Sequence, residues 1–382
     1  MNTNCYFFIV DRPCSYQKKN IYLKCNSNCV YYRPINTKII IIKLSALGDV
    51  LRTTCILKYL YEKYNNPYII WITDKQAVPL LKNINYIKEV ITNDEIYTLC
   101  KILIEEFDIL INLDLSLDAI SLAGIVKAKK KLGYGMNENG EIICFNQKAK
   151  EYLELSHNDV LKKKNKKTYQ EHILNIISDG KEKYIEPNKY KILVKLNNEE
   201  IEFSEKFKKL HKISDKNIII GINTSGGTTW QKKSWSIENT VKLIKLLTKK
   251  LNCKILLFGG KKEQERNKII IEKIKNENLI DTGTDNSLRE FIALLNLCDI
   301  VVTVDTLSLH IALGLNKKVV ALFGPTSSNE IEMYNCGVKI SSSINCCVCY
   351  KRMCDKKLDC MSLITPEKVY KVVKNTFYKI LK

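Results

Sequence analysis

The sequence predicts an α/β protein built of two doubly wound parallel sheets, and three observations carry that prediction. Short runs rich in β-branched apolar residues, among them IIII at 39–42, NIII at 217–220 and DIVVTV at 299–304, are what strands buried on both faces require. Stretches with helical apolar spacing separate them, which is the alternation of βα units and not of hairpins. The alternation runs twice, from Ile39 and again from Asn217, with a charged stretch of low apolar content at 196–216 between, where a linker is expected.

In the first half the expected strands are 39–43, YIIWI at 68–72 and DILINLD at 108–114, with helices from about residue 50, at 118–126 and at 169–178. KKKLGYG at 129–135 and the lysine run at 162–167 read as loops, the latter either a solvated loop or a lip that binds an acceptor. The second half gives NIIIGINT, a helix at 236–250, KILLFGG, helices at 262–275 and from Leu288, DIVVTVD, a helix at 307–315 and VVALFGPTS. A final amphipathic helix starts near Pro366, a residue suited to a first helical turn. The resulting division is a cysteine-bearing arm at 1–36, Rossmann-like domains at 37–200 and 201–365 facing a common cleft, and a terminal helix at 366–382. The arm is either a small cysteine-held cap or a loose extension.

Composition narrows the function. The net charge of +20 comes from 61 Lys+Arg against 41 Asp+Glu, yet only six of the cations are arginine. A nucleic-acid reader needs arginine forks at bases and phosphates, so nucleic acid is not an expected partner. Diffuse lysine charge instead favours anionic lipid head groups or phosphorylated saccharides. No apolar run reaches the length of a membrane span, and YFFIV near the start is too short for a signal-peptide core, so a cytoplasmic location is expected. The 15 cysteines are then thiols or metal ligands and not a disulfide scaffold.

Four loops carry the candidate chemistry. After the first strand, LSALGD sets Gly48 and Asp49 at a loop-to-helix junction, where open α/β sheets bind ligands. Asp49 is read either as a helix N-cap or as a carboxylate available as general base. NTSGGTTWQKKSW offers the close-approach glycines Gly226 and Gly227, the hydroxyls of Thr228 and Thr229, and Lys233 as a charge for phosphate. FGGKKEQER sets Glu263 just past a glycine pair, either as a ribose acceptor or as an exposed helix-start glutamate. VDTLSLHIALG ends a strand at Asp305 and Thr306 and starts a helix whose N–H groups, with Thr306 and Ser308, suit a diphosphate. His310, one turn in, is either a packed or a catalytic histidine. FGPTS is a strand-end turn.

Together KLSALGDVLRTT, TSGGTTWQKKSW, FGGKKEQER, VDTLSLHIALGLNKKVVALFGPTS and ITPEKV resemble glycosyltransferase family 9, the bacterial lipopolysaccharide heptosyltransferases, from about Ile39 to the last helix. The resemblance implies a GT-B fold, an ADP-heptose donor in the second domain, inversion at the anomeric carbon, a lipopolysaccharide-core or related saccharide acceptor, lipid-linked or free, and no catalytic metal. By motif position it implies Asp49 as general base, Lys233 as phosphate contact, Glu263 as nucleoside contact, and Asp305, Thr306, Leu307, Ser308 and His310 as the donor diphosphate and sugar segment. Leu307 stands where the family commonly has glycine, which restricts close backbone approach. With the lysine-rich charge, a peripheral setting at the inner face of the cytoplasmic membrane is also expected. The rival readings are a GT-B transferase with another nucleotide sugar, and a non-catalytic, metal-stabilised nucleotide or saccharide binder.

Two cysteine sets remain. Cys5, Cys14, Cys25 and Cys29 form one, and Cys346, Cys349, Cys354 and Cys360 the other, in the segment 346–360. Cys346 and Cys349 have the two-residue spacing of a metal knuckle, so each set is a candidate for structural zinc, an iron–sulfur cluster or ordinary thiols.

Overall fold

A computed structural model describes every residue except 183–184, 228–230, 352–353, 355, 357–358 and 382, and for Gln231 the backbone alone. The chain forms two compact units, the first of residues 1–44, 56–75 and 85–146, the second of 45–55, 76–84 and 147–382.

The first unit holds a six-stranded sheet of β1 (Lys38–Ile42), β2 (Tyr68–Thr73), β3 (Glu89–Thr92), β4 (Glu106–Asn112), β5 (Lys127–Met136) and β6 (Ile142–Cys144). Its order is β3-β2-β1-β4-β5-β6, parallel except for β6 against β5. Ile39 to Ile42 are wholly buried because β1 is central, with Ile40 in register between Ile70 and Leu110. Ile40, Ile42, Ile70, Ile72, Phe107 and Leu110 pack with Ala119 and Ala123 of helix Leu117–Ile125, and each large side chain so buried contributes about 2 kcal/mol. Strand order reverses between β1 and β4, so the loops that follow these two strands diverge and open a crevice. A buried pair pins the two loops: Asp114 lies 3.2 Å from Lys43 Nζ and accepts from Leu44 N at 3.1 Å.

KKKLGYG is a strand and not the expected loop. Two of its lysines are tolerated because the ammonium finds an acceptor, Lys129 at Asp108 of the neighbouring strand β4 (2.8 Å) and Lys131 at the carbonyls of Ala123 and Gly124 (3.2 and 3.1 Å). Gly133 sits at φ +92° with Asn112 O where a Cβ would be, so no other residue fits there.

The second unit repeats the plan. β7 (Ile218–Asn223), β8 (Cys253–Leu257), β9 (Leu279–Asp281), β10 (Ile300–Val304), β11 (Lys318–Phe323) and β12 (Gly337–Ser341) form a sheet of order β12-β11-β10-β7-β8-β9, parallel throughout. Read from the other edge this is the order of the first sheet, with its reversal between β7 and β10. Ile220, Ile222, Val302 and Val304 pack with Leu243 and Leu247 of helix Ile237–Lys250 and with Val369, Val373 and Phe377 of helix Pro366–Ile380. Pro366 opens that last helix as expected, with Thr365 accepting from Lys368 N.

The stretch expected as a linker contains the helix Asn198–Leu210. Its low apolar content fits a helix that buries only Ser204, and it is secured by an Asn197/Glu200 capping box and by Arg289, whose fork reaches Glu200 at 2.7 and 2.5 Å. The lysine run also begins in a helix, Asp159–Lys164, capped by Asn158. No helix among the described residues is long and apolar enough to cross a membrane.

Candidate active site

The second unit gathers the loops that carry the candidate chemistry. Helix Leu47–Thr53 is capped by Ala46, so Asp49 occupies the first turn and is not the N-cap; its charge there still favours the helix. Asp49 Oδ1 lies 2.8 Å from an Arg52 guanidinium nitrogen, one helical turn on, with the Asp49 side chain 38% exposed and that of Arg52 only 14%. Arg52 stacks 3.7 Å over the ring of Tyr169, whose hydroxyl is 2.7 Å from Thr53 Oγ1, and Thr53 donates to Asp49 O at 2.7 Å. The carboxylate thus emerges to solvent from a rigid base. Burial alone would make Arg52 easier to deprotonate, but Asp49 outweighs this and keeps the guanidinium charged.

His310, on helix Leu307–Gly314, packs against this turn. A Cβ on Gly48 would stand 3.0 Å from His310 Cδ2, so the small residue permits the approach of the two helices. Burial, then the nearby Arg52 charge, pushes His310 down to about 4, and its Nδ1 is buried with no hydrogen-bond partner among the described residues. The ring is neutral at pH 7. Asp305, at the end of β10, accepts from Lys233 Nζ and from Thr326 Oγ1, each at 2.8 Å. Burial opposes its ionisation, yet Lys233, His310 and these hydrogen bonds hold its carboxyl below the usual carboxylate range. Lys233 and Asp305 are therefore a charged pair, 16% exposed on each side.

A cavity of about 460 Å³ opens at the loops after β7, β8 and β10, the strand ends of the second sheet. Its wall includes Leu47, Gly226, Gly227, Glu263, Thr306 and Leu307, together with Ser308. Glu263 does two things there, accepting from Gly260 N at 2.9 Å as a cap and from Ser225 Oγ at 3.2 Å. Ser308 is buried and its hydroxyl lies 2.8 Å from both Thr303 and Thr306. Thr306 makes no side-chain cap and Leu309 N donates to Thr306 O at 3.1 Å, which leaves the N–H groups of Leu307 and Ser308 at the start of helix Leu307–Gly314 for an anion. Leu307 contributes an apolar wall where the resemblance expects glycine. Thr228 and Thr229 lie outside the described residues.

Sequence reasoning passed over Arg52, Tyr169, Thr326 and Arg266. Arg266 donates to Thr224 Oγ1, Trp235 O and Thr240 Oγ1 at 2.8–3.2 Å and so fixes the base of the glycine loop. The available signal was the scarcity of arginine: Arg52 and Arg266 are two of only six in a chain that otherwise uses lysine.

Neither cysteine set forms a metal-ready group, since among the described residues no three His, Cys, Asp or Glu side chains have the arrangement to hold an ion. Cys346 and Cys349 interact with Cys347, which donates to Ser342 O, while Cys360 is packed in the core of the second sheet. Burial pushes the Cys360 thiol up to about 12. Cys354 is half-buried, amid residues that are not described.

Two Rossmann-type sheets, with a carboxylate beside a cavity of nucleotide-diphosphate size, define a GT-B type glycosyltransferase. The model of glycosyltransferase family 9 (heptosyltransferase) matches residues 96–359, and the chain belongs to that family. It is 26% identical over 367 residues to lipopolysaccharide heptosyltransferase 1 of Campylobacter coli, a match that covers 89% of this chain and 99% of the relative. Its fold is similar to that of ADP-heptose lipopolysaccharide heptosyltransferase II of E. coli, with TM-score 0.67 and 18% identity over 90% of this chain and all of the other. It is also similar to the iron-containing dodecameric glycosyltransferase TibC of E. coli H10407, with TM-score 0.54 and 13% identity over 91% of this chain and 77% of the other.

Proposed function

We propose that this glycosyltransferase moves heptose from ADP-heptose to a saccharide acceptor of the lipopolysaccharide core, with inversion at the anomeric carbon. The observation that carries the reading is Asp49, a partly exposed carboxylate braced by Arg52 two residues beyond Leu47 of the cavity wall. The names of the C. coli and E. coli proteins support the donor and the acceptor.

In this reading the acceptor hydroxyl gives its proton to Asp49 as its oxygen bonds to the anomeric carbon. The bond from that carbon to the phosphate oxygen breaks on the opposite face, and its electron pair leaves with ADP. Negative charge grows on the diphosphate, and the N–H groups of helix Leu307–Gly314 and the ammonium of Lys233 offset it. Asp305 and Thr326 hold Lys233 in place through one carboxylate oxygen, so the ammonium is fixed before donor arrives. Glu263 and Ser225 receive the nucleoside, and Gly226 and Gly227 allow its backbone approach. His310, neutral, packs behind the base and leaves proton transfer to Asp49. The reading includes a cytoplasmic setting, and the net charge of +20 supports contact with an anionic membrane surface.

A thermal-shift panel of nucleotides and nucleotide sugars tests it, because a ligand that binds only the folded state raises Tm with occupancy. ADP and ADP-sugars raise Tm first. A response to UDP- or GDP-sugars with none to ADP would transfer the assignment to another donor, and ADP-heptose binding without turnover on any saccharide would make the chain a binder.

A further inference from the structure

Lysine occupies every position of 162–167 except Asn165, and the fold holds the run in a defined turn and not in a loose loop. Asn165 makes the turn. Its Nδ2 donates to Lys167 O at 2.9 Å, its Oδ1 accepts from Lys167 N at 3.0 Å, and His172 Nε2 lies 3.3 Å from the same oxygen. The capping box of Thr168 and Glu171 follows at once and fixes the end of the run. Lys163, Lys164, Lys166 and Lys167 are exposed, whereas Lys162 Nζ sits 4.9 Å over the ring of Tyr350 and 3.3 Å from Asp159.

The turn is fastened twice to the groups that hold the site. Lys167 stands two residues before Tyr169, the ring over which Arg52 stacks beside Asp49. Tyr152 joins the same wall, stacked 4.6 Å from His172 and within reach of the charges of Arg52, Glu330 and Asp49. The second attachment is to the loop after β11. Asn329 Nδ2 donates to Asn165 O at 3.0 Å, and Tyr350, beneath Lys162, donates to Glu330. Thr326 of that loop donates to Asp305, the partner of Lys233. The neighbouring acids Asp159, Glu171 and Glu330 are committed to Lys162, to the helix cap and to Tyr350. Four exposed ammonium groups are thus gathered on one ordered turn. Their mutual repulsion disfavours the arrangement, and an anion bound among them offsets that cost.

We propose that Lys163, Lys164, Lys166 and Lys167 form a lip beside the base that grips anionic oxygens, phosphate or carboxylate, on the acceptor saccharide. The proposal rests on Asp49 as the base, because the acceptor then lies along the wall of Arg52 and Tyr169. The donor diphosphate has its own cation in Lys233 and its own helix start at Leu307, so the lysine turn serves the acceptor. Lys162 positions the turn through Tyr350 and Asp159. The other four are point charges on long flexible stems, which can follow anionic groups at several places on a saccharide where arginine would demand one geometry. Each exposed ammonium contributes little alone, so the grip is collective and weakens with salt.

Calorimetry with core oligosaccharide released from lipopolysaccharide, added to the full chain with and without ADP, tests the lip whether or not turnover occurs. The variant Lys163→Gln/Lys164→Gln/Lys166→Gln/Lys167→Gln weakens oligosaccharide binding about tenfold or more and raises acceptor KM to match, while ADP affinity and kcat stay within about twofold of the parent. A control with the same change of charge at exposed positions elsewhere, Lys249→Gln/Lys371→Gln/Lys374→Gln/Lys379→Gln, keeps parental affinity. Phosphatase treatment of the oligosaccharide lowers parental affinity if phosphate is the gripped group, and amidation of its carboxyls does so if carboxylate is. Binding that the lip variant loses, with no turnover in the parent, would refute transfer and still support the lip. Parental affinity in the lip variant, an equal loss in the control, affinity that neither treatment changes, or no oligosaccharide binding by the parent would each overturn the proposal. So would a lip variant that loses only its sedimentation with phosphatidylcholine–phosphatidylglycerol vesicles, since the lysines would then serve a membrane.

Discussion

Replacing Arg52 with alanine separates the bracing of Asp49 from its chemistry. The variant loses a guanidinium 2.8 Å from Asp49 and 3.7 Å above the Tyr169 ring. A desolvated cation–π contact is worth about 2 kcal/mol. The ion pair adds no more than ~1 kcal/mol, because the Asp49 carboxylate is more than one-third exposed and solvent screens it. A stability loss of about 2–3 kcal/mol follows, measured by urea denaturation. The kinetic effect has a definite sign. A base must be ionised to act, and a neighbouring cation favours the ionised form, so its removal lets the carboxyl keep its proton to higher pH. The acidic limb of kcat/KM then moves to higher pH. Arg52→Lys restores most of the limb but not the stacking, and so recovers kinetics better than stability. An acidic limb that stays in place in folded Arg52→Ala would refute the coupling of Arg52 to the base.

Three other outcomes follow from the same geometry. His310 is held down to about 4 from an ordinary 6.5, so the unfolded chain takes up its proton first, and stability falls as pH drops from about 6.5 to 4. The loss is at most ~3 kcal/mol for this residue. His172, pushed down by burial to about 4, adds to the same window, so His310→Asn removes part of the slope and the double replacement of both histidines more; a parental slope in the double variant would contradict this. Glu263→Ala leaves Gly260 N and Ser225 Oγ without their acceptor, costing about 1 kcal/mol of stability. It raises KM for donor about tenfold with little change in kcat, the signature of lost ground-state binding. Gly48→Ala sets a methyl 3.0 Å from His310 Cδ2, a contact that forces the two helices apart by a few tenths of an ångström. That overpacking costs about 1 kcal/mol and lowers kcat, and a variant with parental Tm and kcat would show that the contact yields freely.

Much of the fold was legible because its central strands are pure apolar runs. IIII, NIIIGIN and DIVVTV lack the alternation of a half-exposed strand, their polar residues falling at the run ends apart from Thr303, and a strand of that kind belongs in the middle of a covered parallel sheet. The edge strands β3, β9 and β12 are short and partly exposed, so their residues carry little pattern. KKKLGYG misled because lysine marks solvent only when its ammonium has no partner, and the partners, Asp108 on a neighbouring strand and two helix-terminal carbonyls, are set by the fold and carry no sequence signal. The helix Asn198–Leu210 was hidden for the opposite reason, as it buries almost nothing and is held by its cap and by Arg289. At the site, Asp49, Lys233, Asp305 and Glu263 were visible as polar residues at strand ends. What they touch was not. The pairing of Lys233 with Asp305 joins two loops that lie far apart in the sequence, and Tyr169 reaches Arg52 from another helix. Arg52 alone had a local signal, its spacing of one turn from Asp49.

The central claim is that Asp49 takes the proton from the acceptor. Asp49→Asn keeps the size of the side chain and a hydrogen-bonding group near Arg52 while removing the base. Turnover of ADP-heptose with a lipopolysaccharide-core acceptor, measured beside ADP affinity in the same preparation, tests the claim directly. The account predicts ADP affinity within about twofold of the parent, since binding contacts remain, and turnover lower by roughly a hundredfold or more, the usual contribution of a positioned base. Parental turnover in Asp49→Asn would contradict it.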